Sequence, residues 1–263
     1  VIEVDDLAVH YGSVRAVGGG GQEAPARPRD GHVTGLVGPN GSGKSTLLRA
    51  VGASVRRAGG RAVVDGDDVE TLRPRERAVR LASVAQEEHN EFPLTTWESV
   101  LLGRSVHRGG WSSYTAGDKE AALGAMRQTG IADLADRPLS ALSGGERQRA
   151  LIARALAQAA THMLLDEPTN HLDVRYQHEI MSLVAGLGLC TITVLHDLNL
   201  AARYCDRLVL LDRGRVAAAG TPDEVLRPEV IEPVYRIATR RIDIDGIPQL
   251  LFAPADHSAG TDR

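Results

Sequence analysis

The stretch Gly38-Pro39-Asn40-Gly41-Ser42-Gly43-Lys44-Ser45-Thr46 fits the pattern G-x-x-x-x-G-K-[ST]. In such a loop glycines let backbone N–H groups close around phosphate oxygens, while the lysine reaches the outer phosphates. The chain carries 28 arginines and only two lysines, Lys44 and Lys119. Lysine at this place suits the chemistry, because a compact ammonium sits differently among phosphates from a planar guanidinium fork. Thr34-Gly35-Leu36-Val37 reads as a strand entering the loop, and Thr46 to Val51 as a helix leaving it.

Two further stretches carry chemistry. In Leu142-Ser143-Gly144-Gly145-Glu146-Arg147-Gln148, Ser143 and Glu146 form a capping box, so a helix starts here. A well-capped helix is the plain account of it. Gly144 and Gly145, however, cost the first turn roughly 1 kcal/mol each against alanine, which makes sense if something must approach the backbone N–H groups closely. A positive helix end with a serine hydroxyl is an anion site. In Met163-Leu164-Leu165-Asp166-Glu167-Pro168 an apolar strand ends in two carboxylates. Next to a phosphate loop, the first can hold Mg²⁺ together with Ser45, and the second can orient and deprotonate an attacking water. Four single residues are weaker signals. His196 and Gln86 each follow a short strand, Tyr11 could offer a ring to a base, and Asp173 is placed as a helix N-terminal acid.

The elements that must position these residues follow from the patterning. Ile2 to His10 alternates as a half-exposed strand, Val33 to Val37 leads into the loop, and Arg61 to Gly66 and Leu81 to Ala85 read as further strands. Helical patterns occupy Thr96 to Leu102, Asp118 to Thr129 and Glu146 to Gln158. Buried strands return at Met163 to Leu165 and Thr191 to Leu195. Asp212-Arg213-Gly214 and Asp245-Gly246 mark hairpins. The order predicts an α/β fold with a mixed sheet, an antiparallel β edge and an inserted α-helical block. Between Val17 and Gly31 the sequence offers no alternation and contains Pro25 and Pro28.

The bulk numbers exclude some classes. Net charge is −4 with a pI near 6.2, so no general electrostatic case for nucleic acid exists. Cys190 and Cys205 lack metal-ligand spacing and read as buried free thiols. Apolar runs fall far short of the roughly 20 residues of a membrane span, and the first residues lack a secretory pattern. A cytosolic chain is expected, reaching a membrane only through a partner.

These motifs, in this order, resemble the nucleotide-binding subunit of ABC transporters over essentially the whole chain. The resemblance implies a phosphate-loop ATPase core with a β subdomain (about 1–86 and 161–240), a helical subdomain (about 87–160) and a C-terminal hairpin and tail (about 241–263). It implies ATP and Mg²⁺ as cofactors. Gly38 to Thr46 would hold phosphates, Ser45, Gln86 and Asp166 would organise Mg²⁺, and Tyr11 would stack on adenine. Glu167 would be the base toward water, with His196 on the γ-phosphate. It further implies a homodimer in which Ser143, Gly144, Gly145 and Glu146 meet the nucleotide of the opposite subunit, near the loop around Asp173. Transmembrane permease subunits and, indirectly, a substrate-binding protein would be the partners, at the cytoplasmic face of a bacterial membrane. Leu101 to Gly109 is similar to the G-R-x-P-H-R-G stretch of importers of iron chelates, haem and cobalamin, with Ser105-Val106 replacing x-Pro. Iron–siderophore import is the expectation, haem or cobalamin the alternative. A soluble cassette working on ribosomes or DNA would usually carry tandem cassettes or coiled-coil insertions. A cassette with impaired activity draws its only support from the irregular 18–30 segment.

Overall fold

The computed structural model describes residues 1–11, 14–18, 31–85, 93–109 and 112–254. Strand β1 (Ile2–Tyr11) and β2 (Val14–Val17) precede β3 (Val33–Val37), which runs into α1 (Lys44–Val51). Then come β4 (Gly59–Val64), β5 (Asp67–Asp68), α2 (Pro74–Ala78) and β6 (Leu81–Val84). The helical block is α3 (Thr96–Leu102), α4 (Ala116–Gln128) and α5 (Gly144–Ala157). Strand and helix then alternate through β7 (His162–Asp166), α6 (Val174–Gly186), β8 (Cys190–Val194), α7 (Leu198–Tyr204) and β9 (Arg207–Asp212). The chain closes with β10 (Arg215–Gly220), α8 (Pro222–Val225), α9 (Pro228–Tyr235), β11 (Ala238–Ile244) and β12 (Ile247–Ala253).

The central sheet has the order β10-β9-β3-β8-β7-β6. Strands β9, β3, β8, β7 and β6 are mutually parallel, and β10 adds an antiparallel edge through the hairpin at Asp212-Arg213-Gly214. Parallel strands are covered on both faces, which is why they read as continuous apolar runs. Successive residues feed opposite cores. Met163 and Leu165 join the cluster under α5, α6 and α7, while Leu164 joins the cluster under α1 and the antiparallel sheet. Leu208 and Leu210 divide from Val209 and Leu211 in the same way.

The antiparallel sheet has the order β2-β1-β4-β5. In β1 the alternation breaks at Asp5-Asp6, where Asp6 takes φ 41° and the pairing with β4 slips between Asp5 and Ala8. This bulge returns Leu7 and Val9 to the apolar cluster that already holds Ile2 and Val4. Helices α3, α4 and α5 make a third cluster, and α5 serves both neighbours. Its Ala150, Ala153 and Ala157 face the helical block, and Leu151, Ile152 and Ala155 face the sheet.

The expected strands and helices are present with ends shifted by a few residues. Helix α5 starts at Gly144 rather than Glu146, because the cap itself is Ser143. Cys190 and Cys205 are buried and unbonded to each other. The irregular segment beyond Gly18 lies outside the described residues. Gly18 itself donates to the Gly214 carbonyl at 2.8 Å. Among the described residues no helix is long and apolar enough to cross a membrane.

Candidate nucleotide site

The phosphate loop lies where the buried strand β3 gives way to α1. Gly38 takes φ 147°, and a Cβ there would sit 2.2 Å from the Leu211 carbonyl oxygen and 2.8 Å from Ser42 Oγ. Only glycine fits. Helix α1 has no side-chain cap, in contrast to α3, α4, α5 and α8, whose first turns are closed by Thr95, Thr115, Ser143 and Thr221. Its first N–H groups therefore face the loop without a competing side chain, as an anion requires. Among the described residues, Ser42 Oγ is buried with no hydrogen-bond partner.

Lys44 is buried, and its Nζ donates to the carbonyls of Gly38 at 2.8 Å and Pro39 at 3.0 Å, closing the loop upon itself. Burial lowers its pKa, with Glu167 and Asp166 opposing that shift. Ser45 Oγ donates to Asp166 Oδ1 at 2.7 Å, bringing α1 and the end of β7 together. Asp166 is only 4% exposed, so its carboxylate depends on such partners. Ser45 and Asp166 supply hard oxygens of the kind Mg²⁺ takes, which it usually supplements with waters and substrate phosphates. Among the described residues no group of three or more His, Cys, Asp or Glu forms a protein-only cage. This donor set fits a Mg²⁺–phosphate complex rather than a resident structural metal.

The next residue, Glu167, takes φ 54° and turns its side chain toward β8. His196, one residue beyond the end of that strand's apolar run, places Nε2 2.7 Å from Glu167 Oε1. Asn170 Nδ2 donates to Glu167 Oε2 at 3.1 Å. Both oxygens of the second carboxylate are thus held. Sequence patterning pointed to Glu167 and His196 separately but not to their contact, and it overlooked Asn170, although that residue stands three positions after Glu167 on a turn.

At the start of α5, Glu146 Oε2 accepts from both the N–H and the hydroxyl of Ser143, at 2.8 Å each. The backbone N–H and then the hydroxyl of Ser143 hold the Glu146 carboxyl below its usual range. Gly145 has a reason within the chain: a Cβ there would meet the Tyr176 ring at 2.6 Å. A Cβ on Gly144 would stand 3.2 Å from Leu172. The tight approach that the paired glycines suggested is therefore made in part by α6 and the loop before it. Ser143 and Gly144 remain exposed. Asp173 caps α6, its Oδ1 accepting from Tyr176 N at 3.0 Å. The structure thus brings Lys44, Ser45, Asp166, Glu167 and His196 into one linked group, and ties Ser143 to Glu146 and Asp173 to Tyr176. Gln86 lies outside the described residues, as does the side chain of Tyr11, whose backbone ends β1.

A glycine loop between a buried parallel strand and an uncapped helix, with a serine–aspartate pair and a following glutamate, defines a phosphate-loop nucleotide-binding cassette. The chain belongs to the ABC transporter family, a family of ATPases, whose model matches residues 27–170. It is 40% identical over 98% of its length to the cobalamin import ATP-binding protein BtuD of Halobacterium salinarum, and spans 66% of that relative's length. It is 41% identical to the ferric enterobactin transport ATP-binding protein FepC of Escherichia coli, covering 81% of this chain and 80% of that one. The hemin import ATP-binding protein HmuV of Streptomyces coelicolor is 45% identical, over 87% of this chain and 81% of the relative. Among solved structures, the dimeric structure of MJ0796, a bacterial ABC transporter cassette, superposes with a TM-score of 0.71 at 27% identity, covering 84% of this chain and 99% of that one.

Proposed function

We propose that the chain is the ATP-hydrolysing, energy-coupling subunit of a membrane importer. The observation that carries this reading is the Glu167–His196 pair beside the Ser45–Asp166 pair, both gathered at the loop closed by Lys44. Lys44 and the loop Gly38 to Thr46, through the backbone N–H groups of its non-proline residues, hold the phosphates of ATP. Ser45 and Asp166, with Gln86, would hold Mg²⁺, which when bound would offset the negative charge of the phosphates. Glu167 accepts the proton of the attacking water. His196 holds Glu167 in place and stands ready to contact the outer phosphate. Tyr11 receives the adenine.

The exposed Ser143 and Gly144, with Gly145 and Glu146 behind them and Asp173 nearby, suit a nucleotide delivered by a second copy of the chain. A homodimer with two shared ATP sites is the assembly this favours, and the dimeric state named for MJ0796 supports it. On this account residues 1–86 and 161–240 form the ATPase core, 87–160 the helical subdomain that meets a permease, and 241–263 an appended hairpin and tail. The permease places the chain at the cytoplasmic face of the membrane, with a substrate-binding protein beyond it. The relatives named for cobalamin, ferric enterobactin and hemin support import of a metal chelate. Within that class an iron–siderophore complex is our reading. Haem or cobalamin is the second, favoured by the 45% identity to a hemin import protein.

Turnover of ATP by the purified chain tests the core of this proposal. Glu167→Gln should reduce kcat by about 10²- to 10⁴-fold, the usual worth of a positioned general base, while ATP still binds. Turnover equal to wild type would remove Glu167 from the role. Reconstitution with a permease, followed by uptake of labelled siderophore, haem and cobalamin in parallel, separates the cargo readings.

A further inference from the structure

Asp166 carries two carboxylate oxygens, and the structure gives them different partners on one helix. Ser45 Oγ donates to Oδ1 at 2.7 Å, and Arg49 Nη2 faces Oδ2 at 3.4 Å. Ser45 and Arg49 are four residues apart on α1, one above the other on the same face. The carboxylate is 4% exposed, whereas half of the Arg49 side chain is open to solvent. Beside the pair runs a cavity of about 180 Å³, whose walls include Leu48, Arg49, Gly52, Leu164 and Asp166. Arg49 forms part of its wall, so shortening that side chain would give the carboxylate room to rotate away from Ser45.

We propose that Arg49 is a positioning residue that fixes the rotamer of Asp166, so that Oδ1 and the Ser45 hydroxyl present a joint oxygen pair to Mg²⁺. The proposal rests on the nucleotide-site reading above and extends it to a residue outside the nine-residue loop. Such outer partners of a ligating carboxylate commonly change metal affinity by 10- to 100-fold when removed. A half-exposed ion pair adds little to folding stability, so the effect should appear in metal dependence rather than in the thermal midpoint.

The test is a Mg²⁺ titration of mant-ATP binding to the full chain, alongside binding in EDTA. Arg49→Met keeps the stem and removes the charge. It should raise the half-saturating Mg²⁺ concentration about ten-fold or more, with binding in EDTA and the thermal midpoint unchanged. Arg49→Lys should recover much of the loss, since it restores a cation of similar reach. An unchanged Mg²⁺ midpoint in Arg49→Met would overturn the proposal, and so would an equal loss of binding with and without Mg²⁺. Wild-type protein whose mant-ATP binding ignores Mg²⁺ would instead overturn the underlying assignment of Ser45 and Asp166.

Discussion

Lys44 is held by two carbonyls of its own loop, and burial has lowered its pKa from the usual 10.5. A phosphate arriving at the ammonium favours the charged form and raises that value again. Nucleotide binding should therefore take up protons in the alkaline window between the lowered and restored values, and take up none through Lys44 well below it. Calorimetry of ATP binding in buffers of different ionisation enthalpy would detect this uptake, which should vanish in any Lys44→Ala protein that still binds. A second prediction concerns Gly145. Its Cβ would strike the Tyr176 ring at 2.6 Å, so Gly145→Ala should destabilise the fold by about 1–3 kcal/mol. Tyr176→Leu in the same chain should return part of that in a thermal melt, whereas additive losses would refute the steric account. The loop lysine, the carboxylate pair and His196 were all legible in the sequence, because each stands at a strand end or in a fixed pattern. Tyr176, Asn170 and Arg49 were not, since their meaning lies in contacts that only the assembled α1, β7, α5 and α6 create.

At the scale of elements, helix starts are the most transparent feature. Thr95 with Glu98, Thr115 with Asp118, Ser143 with Glu146 and Thr221 with Glu224 all form closed capping boxes. In each case the backbone N–H of the cap residue is the main cause of a lowered carboxyl pKa, and Asp118 falls from 3.8 to about 2. Because the folded-state values are depressed, the stability they contribute is fully present above the ordinary carboxylate range. It is lost as pH falls through the lowered values. Thermal midpoints should thus decline steadily from about pH 4 downwards, and Asp118→Asn should flatten part of that acid slope while lowering stability at neutral pH. An acid slope identical to wild type would contradict this linkage. Separately, Ser143→Ala should cost about 0.5–2 kcal/mol of stability, the usual worth of an N-cap. Strands β3, β7 and β8 were legible by their two-sided apolar runs. The bulge at Asp6 was not legible: Ile2 to His10 reads as a single alternating strand, and nothing local says where the pairing with β4 slips. Helices α2, α8 and α9 are short; α2 buries no residue, and the apolar residues of α8 and α9 acquire meaning only against β10 and β11, so periodicity did not single them out.

Across the whole molecule, α5 is the element that ties ATP chemistry to the rest. Its N-terminus carries Ser143, its two faces join two apolar clusters, and Gln158 at its C-cap donates to the carbonyls of Ala78 and of Leu81 at the start of β6. His107 Nε2 lies 2.7 Å from the Gln158 carbonyl oxygen, linking the segment after α3 to the same point. A rigid α5 running from the exposed Ser143 to the root of β6 is the arrangement expected if closure on a second copy is to be felt at the helical block. The account therefore stands on whether two copies close around ATP. The most direct measurement is multi-angle light scattering of the Glu167→Gln chain with and without ATP and Mg²⁺. Closure around ATP should turn the monomer into a dimer when both are added, and the dimer should revert to monomer in EDTA or when Ser143 is replaced by a bulky residue. A folded chain that binds ATP yet keeps the mass of a monomer under the same conditions would contradict it.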